Sequence, residues 1–438
     1  MFSLKNQLVA NALLLTAANF FCRGIGFIYR IFVSQTYGAE AMGVIQLVTP
    51  ILALAYAISC SGFQTAISRM AAIKKDNSNQ SFYALFVGGG FSFILATVIS
   101  FFIYVNADYF AINLLLEHRT APLLRILCLS FPFSSLHACI NGYFYGINKA
   151  SIPAFLQCIE QLIRVSTIML ISQWYLNNQV LLPLSIIAVG TAISEFCITL
   201  ISFLFIFSKK VKIQTTFCLN DLLYITKPLY AMVIPLSLSR IIVTVLQSIE
   251  NIYIPEMLRQ YGYNTSEALS LFGTLTGMAL SIIFLPCSLV NSIAILLLPK
   301  VAKSQSLGKN KEIDNTIKKT LQFCILFGLL CLLFFFFFGK QIGILLFHNK
   351  TAGEYIYGLS FICPFLYITS ALGAILHGLG KNYTTLFINI TALTIRIVFI
   401  FFAIPRIGIS GYLCGLLVSQ AFSALSCIYS LKKNDPPI

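Results

Sequence analysis

The stretch NFFCRGIGFIYRIFVSQTYGAEAMGV, residues 19–44, places two arginines inside an apolar run that covers residues 8–33. About 20 apolar residues cross the hydrocarbon core of a bilayer as a helix. An arginine near the centre of such a helix costs about 2.5–3.5 kcal/mol, so Arg23 and Arg30 should face water or an anionic partner. Seven residues make almost two helical turns, so both arginines lie about 10 Å apart on one face, together with Asn19. The first helix is therefore predicted to carry a polar face in the middle of the membrane.

The composition indicates a polytopic membrane protein. Of the 438 residues, 58% are hydrophobic and 10% are charged, and the mean hydropathy is +0.87. Soluble domains carry about 25% charged residues. The apolar runs predict an all-α fold with twelve membrane-spanning helices. The predicted spans cover residues 8–33, 43–66, 81–105, 121–146, 153–176, 181–207, 228–252, 270–298, 321–338, 355–378, 384–404 and 410–430.

Cysteine and histidine do not form a pattern typical of a metal site. Of the 13 cysteines, all except Cys218 lie within or at the ends of apolar runs, and no pair is spaced as CxxC. We interpret them as small apolar residues, not as metal ligands or disulfides. The 4 histidines are scattered along the chain. We therefore expect neither a metal ion nor another cofactor.

Lysine and arginine determine the predicted orientation. With the N-terminus inside, the inner segments hold eighteen of the 29 basic residues and the outer segments hold five. Both termini should therefore be cytoplasmic, in a multi-pass protein of the bacterial cytoplasmic membrane. The N-terminus resembles a signal peptide only loosely, because its apolar run continues to Val33, and we expect a retained first span. No loop exceeds about 25 residues, which leaves no room for a soluble catalytic domain.

The inner segment 299–320 leads into the sequence KEIDNTIKKTL, residues 311–321. Ile313, Ile317 and Leu321 recur every four residues in it. This spacing predicts an amphipathic helix that lies along the membrane surface. Its lysines are expected to meet lipid headgroups and not nucleic acid, because no aromatic or motif context accompanies them.

The chain contains an internal repeat. GINKASIPAFLQCIEQLIRV, residues 146–165, aligns without gaps on GLGKNYTTLFINITALTIRI, residues 378–397. Pro132 and Pro364 lie just upstream of the two copies and are predicted to kink their helices. Six spans per half is an even number, so the halves should run parallel and be related by an axis along the membrane normal. The predicted parts are an N-lobe over 1–207, a basic cytoplasmic linker over 208–227 and a C-lobe over 228–438.

Arginines recur at the middle of the first and fifth spans of each half. These residues are Arg23, Arg164, Arg240 and Arg396. The repeat relates Arg23 to Arg240 and Arg164 to Arg396. On the seventh span, Thr244 and Gln247 lie on the same face as Arg240 at 100° per residue. Both halves are therefore predicted to present positive charge inside the membrane.

Two carboxylates, Glu160 and Glu195, accompany these arginines in mid-span. Glu160 lies four residues before Arg164 and can pair with it on one helix face. Glu195 can neutralise another arginine. Alternatively, the two carboxylates couple the protein to protons or another cation. Four arginines against two carboxylates leave an excess of positive charge, and four lone arginines in lipid would cost on the order of 10 kcal/mol. A water-filled cavity that accepts an anion is favoured over structural pairing alone.

Four stretches carry a resemblance to a known family: RGIGFIYRIFVSQTYGAEAMGVIQLVTP (23–50), LPKVAKSQS (298–306), LLF (345–347) and ILHGLGK (375–381) with the downstream Arg396. On these residues the chain resembles the stage V sporulation protein B family, relatives of the lipid II flippase MurJ in the multidrug/oligosaccharidyl-lipid/polysaccharide exporter superfamily. The resemblance covers essentially the whole chain. Many members of the family have two further C-terminal spans, which have no counterpart among the twelve.

The resemblance implies two six-helix lobes that form a V and exchange a lipid-linked sugar precursor between leaflets by rocking. It also implies that Arg23, Arg30 and Arg240 line the cavity. We expect a flippase that moves a lipid II-like precursor to the outer leaflet, with a role in cell-wall polysaccharide synthesis or sporulation. Its expected partners are a polyprenyl-diphosphate-linked sugar and membrane lipids, bound by a monomer. The expected substrate-binding residues are Arg23, Arg30, Arg240, Arg396, Asn19, Thr244 and Gln247.

Two other functions stay open at this point. A multidrug cation exporter of the same superfamily should have an acidic or aromatic cavity, whereas the arginines predict a basic one. A membrane-embedded glycosyltransferase or acyltransferase usually shows clustered acidic or histidine residues near one face. The predicted outer loops carry only isolated acidic residues. These are Asp108, Glu117, Glu256, Glu267 and Glu354.

Overall fold

The computed structural model describes residues 2–73, 78–208, 219–307 and 309–432. Within these residues it consists of helices joined by short turns, without a β-strand. The α-helices are α1 (Phe2–Tyr56), α2 (Gly62–Ile73), α3 (Ser78–Val105), α4 (Ala107–Tyr109), α5 (Thr120–Cys128), α6 (Phe131–Gly146), α7 (Ser151–Asn177), α8 (Ser185–Ser208), α9 (Leu219–Tyr261), α10 (Thr265–Gly273), α11 (Leu280–Ser306), α12 (Asn310–Phe347), α13 (Lys350–Leu359), α14 (Cys363–Gly378), α15 (Asn382–Phe402), α16 (Ile404–Ile407) and α17 (Ile409–Lys432). The predicted all-α class is confirmed.

The membrane spans agree with the predicted number once the first helix is divided. In the described part of the chain, 10 helices are long and apolar enough to cross a membrane, or up to 11 if the bent pair α5–α6 forms one span. The first of them, Leu14–Ile73, has 60 residues, which is about 90 Å of helix against a hydrocarbon core of about 30 Å. It is interrupted at Gly38, whose φ is 84°, a conformation that glycine adopts at little cost. Two crossings, one on each side of Gly38, bring the total to twelve.

Matching interruptions relate the two halves. A π-helical turn follows α1 at Ala57–Ser61, and another follows α10 at Thr274–Ala279. Both α6 and α14 have 16 residues and carry a proline in the first turn. Pro132 and Pro364 therefore begin these helices and do not kink them from within, because a proline is tolerated where no intrahelical N–H bond is lost. The bend of 48° lies between α5 and α6, just before Pro132.

The predicted amphipathic surface helix does not exist as a separate element. Residues 311–321 form the first three turns of α12, a continuous helix of 38 residues. No proline occurs between Asn310 and Phe347 to break the helix. At 1.5 Å per residue α12 is about 57 Å long, so its charged start continues a membrane span and does not lie beside it as an independent helix.

The chain divides into two compact units. The first unit comprises the chain up to Gly26 together with Leu47–Ser248. It has a hydrophobic core in which Phe63 and Ile67 of α2 pack with Phe144 of α6 and Leu229 of α9, each at most 3% exposed. The start of α9 therefore belongs to the first unit.

The second unit comprises Phe27–Gln46 together with the chain from Ile249 onward. Its α1 segment crosses α10 closely where Gly43 meets Gly273. A Cβ atom added to Gly273 would lie only 3.0 Å from the Cα atom of Gly43. Ser266 at the start of α10 donates a hydrogen bond of 2.6 Å to Glu40. The predicted lobe boundaries stay a prediction, and residues 209–218 of the predicted linker lie outside the described residues.

Candidate functional site

The predicted polar face of α1 carries side chains in two environments. Arg23 is exposed and Asn19, one turn earlier, is half-buried. Arg30 is half-buried, and its guanidinium donates a hydrogen bond to the hydroxyl of Ser281 on α11. Ser281 in turn donates to the carbonyl of Gly277 at 2.6 Å. Arg30 is thus engaged by a neutral partner on α11, whereas Arg23 is an exposed residue.

The predicted polar stripe on α9 is present and lies on an accessible side of the helix. Arg240 and Gln247 are exposed and Thr244 is half-buried. The apolar residues Leu238 and Ile242 beside Arg240 are also exposed, at 56% and 39%. Arg240 therefore lies on an accessible surface of a helix that is otherwise apolar enough to span the membrane.

Arg164 joins two carboxylates in the first unit, a group that we call the Arg164 cluster: Arg164, Glu160, Glu195 and His137. The guanidinium pairs with Glu160 on its own helix and with Glu195 on α8, the latter at 3.4 Å. These side chains are 25%, 18% and 14% exposed. Because Glu160 and Arg164 are four residues apart on α7, the chain brings them together locally. Glu195 reaches them only through the packing of α7 on α8.

His137 connects the cluster to α6 and α8. Its Nε2 atom lies 3.8 Å from Glu160 and 2.8 Å from the side-chain amide of Asn141. Its Nδ1 atom lies 2.8 Å from the hydroxyl of Ser202. Ser202 itself donates to the carbonyl of Ile198 at 2.7 Å. The imidazole is therefore fixed between two polar neighbours in a site where it is nearly buried.

A polar cavity of about 340 Å³ adjoins the cluster within the first unit. It is bounded by the helices α1, α2, α6, α7 and α8. Its polar lining includes Asn19, His137, Asn141, Gln157, Glu160 and Glu195. The cavity thus brings the predicted residues Asn19, Glu160 and Glu195 together. It is lined by carboxylates, and the basic cavity expected from the arginine count stays a prediction.

Arg396 of α15 is engaged by a carboxylate that the sequence analysis missed. Its Nη1 atom donates to Glu250 of α9 at 2.8 Å, and Glu250 is only 4% exposed as a side chain. The hydroxyl of Tyr412 on α17 donates to the same carboxylate oxygen at 2.7 Å. Glu250 is thus a third carboxylate inside the spans, and the predicted excess of positive charge is smaller than the count of two carboxylates suggested.

A sequence signal for Glu250 does exist. It lies within the predicted seventh span, close to the polar stripe of Arg240, Thr244 and Gln247. A carboxylate in an apolar helix is itself a sign of a functional or paired group. Its partner Arg396 is 146 residues away in the chain, so no local spacing pointed to the pair.

Metal ligation has little support in the described residues. No group of three or more histidine, cysteine, aspartate or glutamate side chains in that part of the chain is arranged to hold a metal ion. The two thiols of Cys22 and Cys158 are 3.8 Å apart. They lie between α1 and α7 beside the cluster.

Comparison with known proteins places these features in a family. The family described as "Polysaccharide biosynthesis protein" matches residues 8–303. The chain is 23% identical over 448 residues to "Stage V sporulation protein B" of Bacillus subtilis (strain 168), covering 99% of this chain and 85% of that protein.

Two solved structures show a similar fold. One is titled "Lipid II flippase MurJ, inward closed conformation" and superposes with a TM-score of 0.71 at 15% identity, covering 96% of this chain and 88% of the other. The other is a multidrug resistance MATE family transporter of the MOP superfamily in an inward-facing conformation. It superposes with a TM-score of 0.72 at 15% identity, covering 94% of this chain and 96% of the other. Both titles describe transporters.

Proposed function

Because the chain belongs to the polysaccharide biosynthesis protein family, which matches residues 8–303, we propose that it is a flippase for a lipid-linked anionic glycan precursor. The precursor moves from the inner to the outer leaflet of the cytoplasmic membrane. The similarity to a sporulation protein and to a lipid II flippase fold supports this class of substrate. The protein then acts as a carrier that alternates between two conformations, and not as an enzyme.

One observation carries the proposal: an exposed arginine lies in the interior of an apolar span. Arg164 and Arg396 are engaged by carboxylates of the chain, whereas Arg240 is exposed on α9. An arginine costs about 2.5–3.5 kcal/mol in a lipid environment on insertion scales, so an anionic group or water has to meet it. A diphosphate suits this need, because a guanidinium binds phosphate oxygens through two parallel N–H bonds.

The chemical structure of a lipid-linked sugar also supports this substrate class. A polyprenyl-diphosphate sugar has an apolar tail that can stay in lipid, and only its head and diphosphate need a polar route. Moving negative charge outward is favoured by an inside-negative potential, by about 2.3 kcal/mol per charge per 100 mV. Exposed arginines on membrane helices fit such a route.

A multidrug cation exporter is the second candidate, and one observation favours it. The cavity of about 340 Å³ in the first unit is lined by two carboxylates, and carboxylates suit a cationic drug. That volume is at the low end of the range of about 300–1,000 Å³ for ligand pockets. A cation exporter would have no role for the exposed arginines at positions 23 and 240. The flippase is therefore the better-supported function.

The test is flipping of fluorescent lipid II in proteoliposomes of the purified protein. We expect Arg23→Ala, Arg30→Ala and Arg240→Ala each to lower the rate at least tenfold at normal protein levels. Lysine at these positions should rescue only in part, because it lacks the planar fork of arginine. Arg259→Ala is the matched control, since Arg259 lies near the end of α9 and pairs with Glu256, and it should flip at the wild-type rate.

Two results would contradict the proposal. Full flipping by every single alanine variant would remove the arginines from the substrate route. Absence of lipid II flipping by the wild type, together with lowered accumulation of cationic dyes in cells, would favour the drug exporter.

A further inference from the structure

Cys22 on α1 and Cys158 on α7 form a close pair of thiols in the first unit. Their Sγ atoms are 3.8 Å apart, although 136 positions separate the two residues in the chain. Both cysteines are free and half-buried. A disulfide holds its sulfur atoms at about 2.05 Å, so these two atoms need to approach by only about 1.8 Å. The pair is therefore arranged for a covalent bond between two helices.

The helices α1 and α7 pass close to each other around this pair. One turn after Cys22, a Cβ atom added to Gly26 would lie 3.3 Å from Nε2 of Gln161. Gln161 follows Cys158 by three residues on α7. The two contacts thus advance in the same direction along both helices. Because the backbone of Gly26 is involved, the proximity of the thiols belongs to the helix crossing and not to one side-chain rotamer.

Packing alone does not explain cysteine at these two positions. Eight of the described cysteines are buried, as is typical of cysteine used as a small apolar side chain. Cys22 and Cys158 are only half-buried. The internal repeat aligns Cys22 with Ser239 and Cys158 with Ile390. The corresponding positions of the second half therefore hold no thiol, and the repeated fold does not require a pair here.

The polar cavity of the first unit lies next to the pair. Asn19 precedes Cys22 by three residues on α1, and Gln157 is the neighbour of Cys158 on α7. Both Asn19 and Gln157 line this cavity of about 340 Å³. A small, uncharged oxidant such as hydrogen peroxide can reach half-buried thiols from such a polar space. The site thus combines two adjacent thiols with access for a reagent.

We propose that Cys22 and Cys158 are a redox modification site, at which hydrogen peroxide produces a reversible disulfide that slows transport. The thiolate of one cysteine attacks a peroxide oxygen, the O–O bond breaks, and hydroxide leaves and takes up the thiol proton as water. The second sulfur attacks the sulfenic acid, its S–O bond breaks, and a second water leaves. Two thiols lose two electrons, and one peroxide becomes two waters. A dithiol reverses the bond by exchange.

The disulfide acts on α1 close to the point where this helix leaves the first unit. The unit contains α1 up to Gly26, one turn after Cys22, and it contains all of α7. A covalent bond fixes the end of this α1 segment to α7 and restricts its movement. The slowing of transport rests on the proposed carrier function, whereas the formation of the disulfide does not. Disulfides of proteins in reducing compartments are usually transient and redox-sensing, which suits a reversible modification.

The first experiment measures the disulfide without transport. The purified protein is reduced, treated with hydrogen peroxide, blocked with a maleimide and digested for mass spectrometry. We expect a cross-linked peptide that joins Cys22 to Cys158 and that dithiothreitol separates. Cys22→Ser and Cys158→Ile, which introduce the residues of the other half of the repeat, should each abolish it.

Cys197→Ser is the matched control, because Cys197 is a half-buried cysteine of α8 in the same unit. This variant should form the cross-linked peptide as the wild type does. The decisive measurement is made on the wild type and does not depend on the folding of a variant. If both cysteines of the peroxide-treated wild type react with the maleimide as fully as in the reduced protein, the assignment of the pair is overturned.

The second experiment measures flipping of fluorescent lipid II in proteoliposomes of reduced and oxidised protein. Oxidation should slow the wild type by about tenfold or more, because conformational steps limit the rate of many such cycles. Dithiothreitol should restore the rate. Cys22→Ser should flip at the rate of the reduced wild type in both states, and Cys197→Ser should respond as the wild type does. A wild type that carries the disulfide and still flips at the reduced rate overturns the effect on transport.

The outcomes separate the two proposals. A disulfide between Cys22 and Cys158, in a protein that does not flip lipid II in either redox state, supports the thiol site and contradicts the flippase. Flipping by the reduced protein, with no cross-linked peptide after peroxide treatment, supports the flippase and overturns the thiol site.

Discussion

Arg164 and Arg396 occupy corresponding positions in the two repeats, yet their carboxylate partners come from different places. Glu160 lies four residues before Arg164 on the same helix, whereas Glu250 reaches Arg396 from another helix. Each repeat therefore neutralises its arginine with a carboxylate from a different position in the chain. The equivalence of the arginines does not extend to their environments, and both arginines are less exposed than Arg240.

Arg164→Gln should destabilise the protein, because it leaves two carboxylates of the cluster without a cation. Breaking a buried ion pair costs about 3–5 kcal/mol. The double variant Glu160→Gln/Arg164→Gln should recover much of this loss, and transport with it, because only Glu195 then remains charged. Unfolding in mixed detergent micelles and flipping in proteoliposomes measure the two effects. A double variant as inactive as the single one would show that Glu160 serves coupling and not only pairing.

Glu250→Gln should also destabilise, by about 3–5 kcal/mol, since Arg396 keeps a buried charge without its counter-ion. Tyr412→Phe removes one hydrogen bond to the carboxylate and should cost about 1.5–3 kcal/mol. A double-mutant cycle on Glu250 and Tyr412 should show a clear coupling energy, because the Tyr412 hydroxyl donates to the same Oε1 atom of Glu250 that accepts from Arg396. Glu256→Gln on the same helix is the control and should cost less than about 1 kcal/mol. Equal losses at Glu250 and Glu256 would refute the special role of the buried pair.

At the scale of helices, α1 contributes to both units. The part before Gly26 belongs to the first unit, and Phe27–Gln46 belongs to the second. Gly38 turns the chain between the two spans, with a φ of 84° that other residues rarely adopt. In the second unit, Gly43 and Gly273 allow α1 and α10 to approach closely. Small residues at such crossings let the backbones of membrane helices touch.

Gly43→Ala should therefore destabilise the second unit, because the added Cβ atom would clash with the backbone carbonyl of Leu269. Overpacking of this kind costs about 1–3 kcal/mol. Gly24→Ala on the same helix is the matched control, since nothing lies within 4 Å of its added Cβ. Alanine forms helix better than glycine by up to about 1 kcal/mol, so the control should be neutral or slightly stabilising. Thermal unfolding in detergent distinguishes the two, and an unchanged melting temperature for Gly43→Ala would contradict the close crossing.

At the scale of the whole molecule, the orientation in the membrane is the next property to test. The basic residues of the predicted inner segments outnumber those of the outer segments by eighteen to five. This asymmetry predicts that both termini are cytoplasmic. The twelve crossings agree with this arrangement, because an even number returns the chain to the side on which it began.

Topology reporters inserted after Asn177 and Asn264 should be outside, and one inserted at Thr216, a position outside the described residues, should be inside. Asn177 ends α7, and Asn264 caps the start of α10 through its side chain, so neither insertion interrupts the middle of a span. Reporter activity and labelling by a membrane-impermeant reagent in intact cells measure the sidedness. The reversed pattern would contradict both the charge rule and the assignment of six spans to each half.

The sequence by itself determined the class of the protein, the twelve spans and the repeat. These depend on apolar length, charge and alignment at a constant offset, which are properties of the chain read in order. The pair of Glu160 and Arg164 was also predictable, because a spacing of four residues places both on one face of a helix.

Only the tertiary structure decided which residues neutralise the other charges inside the spans. The carboxylate of Glu250 and the guanidinium of Arg396 are separated by 146 residues, and Glu195 reaches Arg164 only because α8 packs on α7. The net charge of a buried site depends on which helices pack together, and the hydropathy of the sequence does not specify this packing. For the same reason the sequence predicted a separate surface helix where α12 is continuous, since a charged, amphipathic start looks alike whether the helix lies beside the membrane or continues into it.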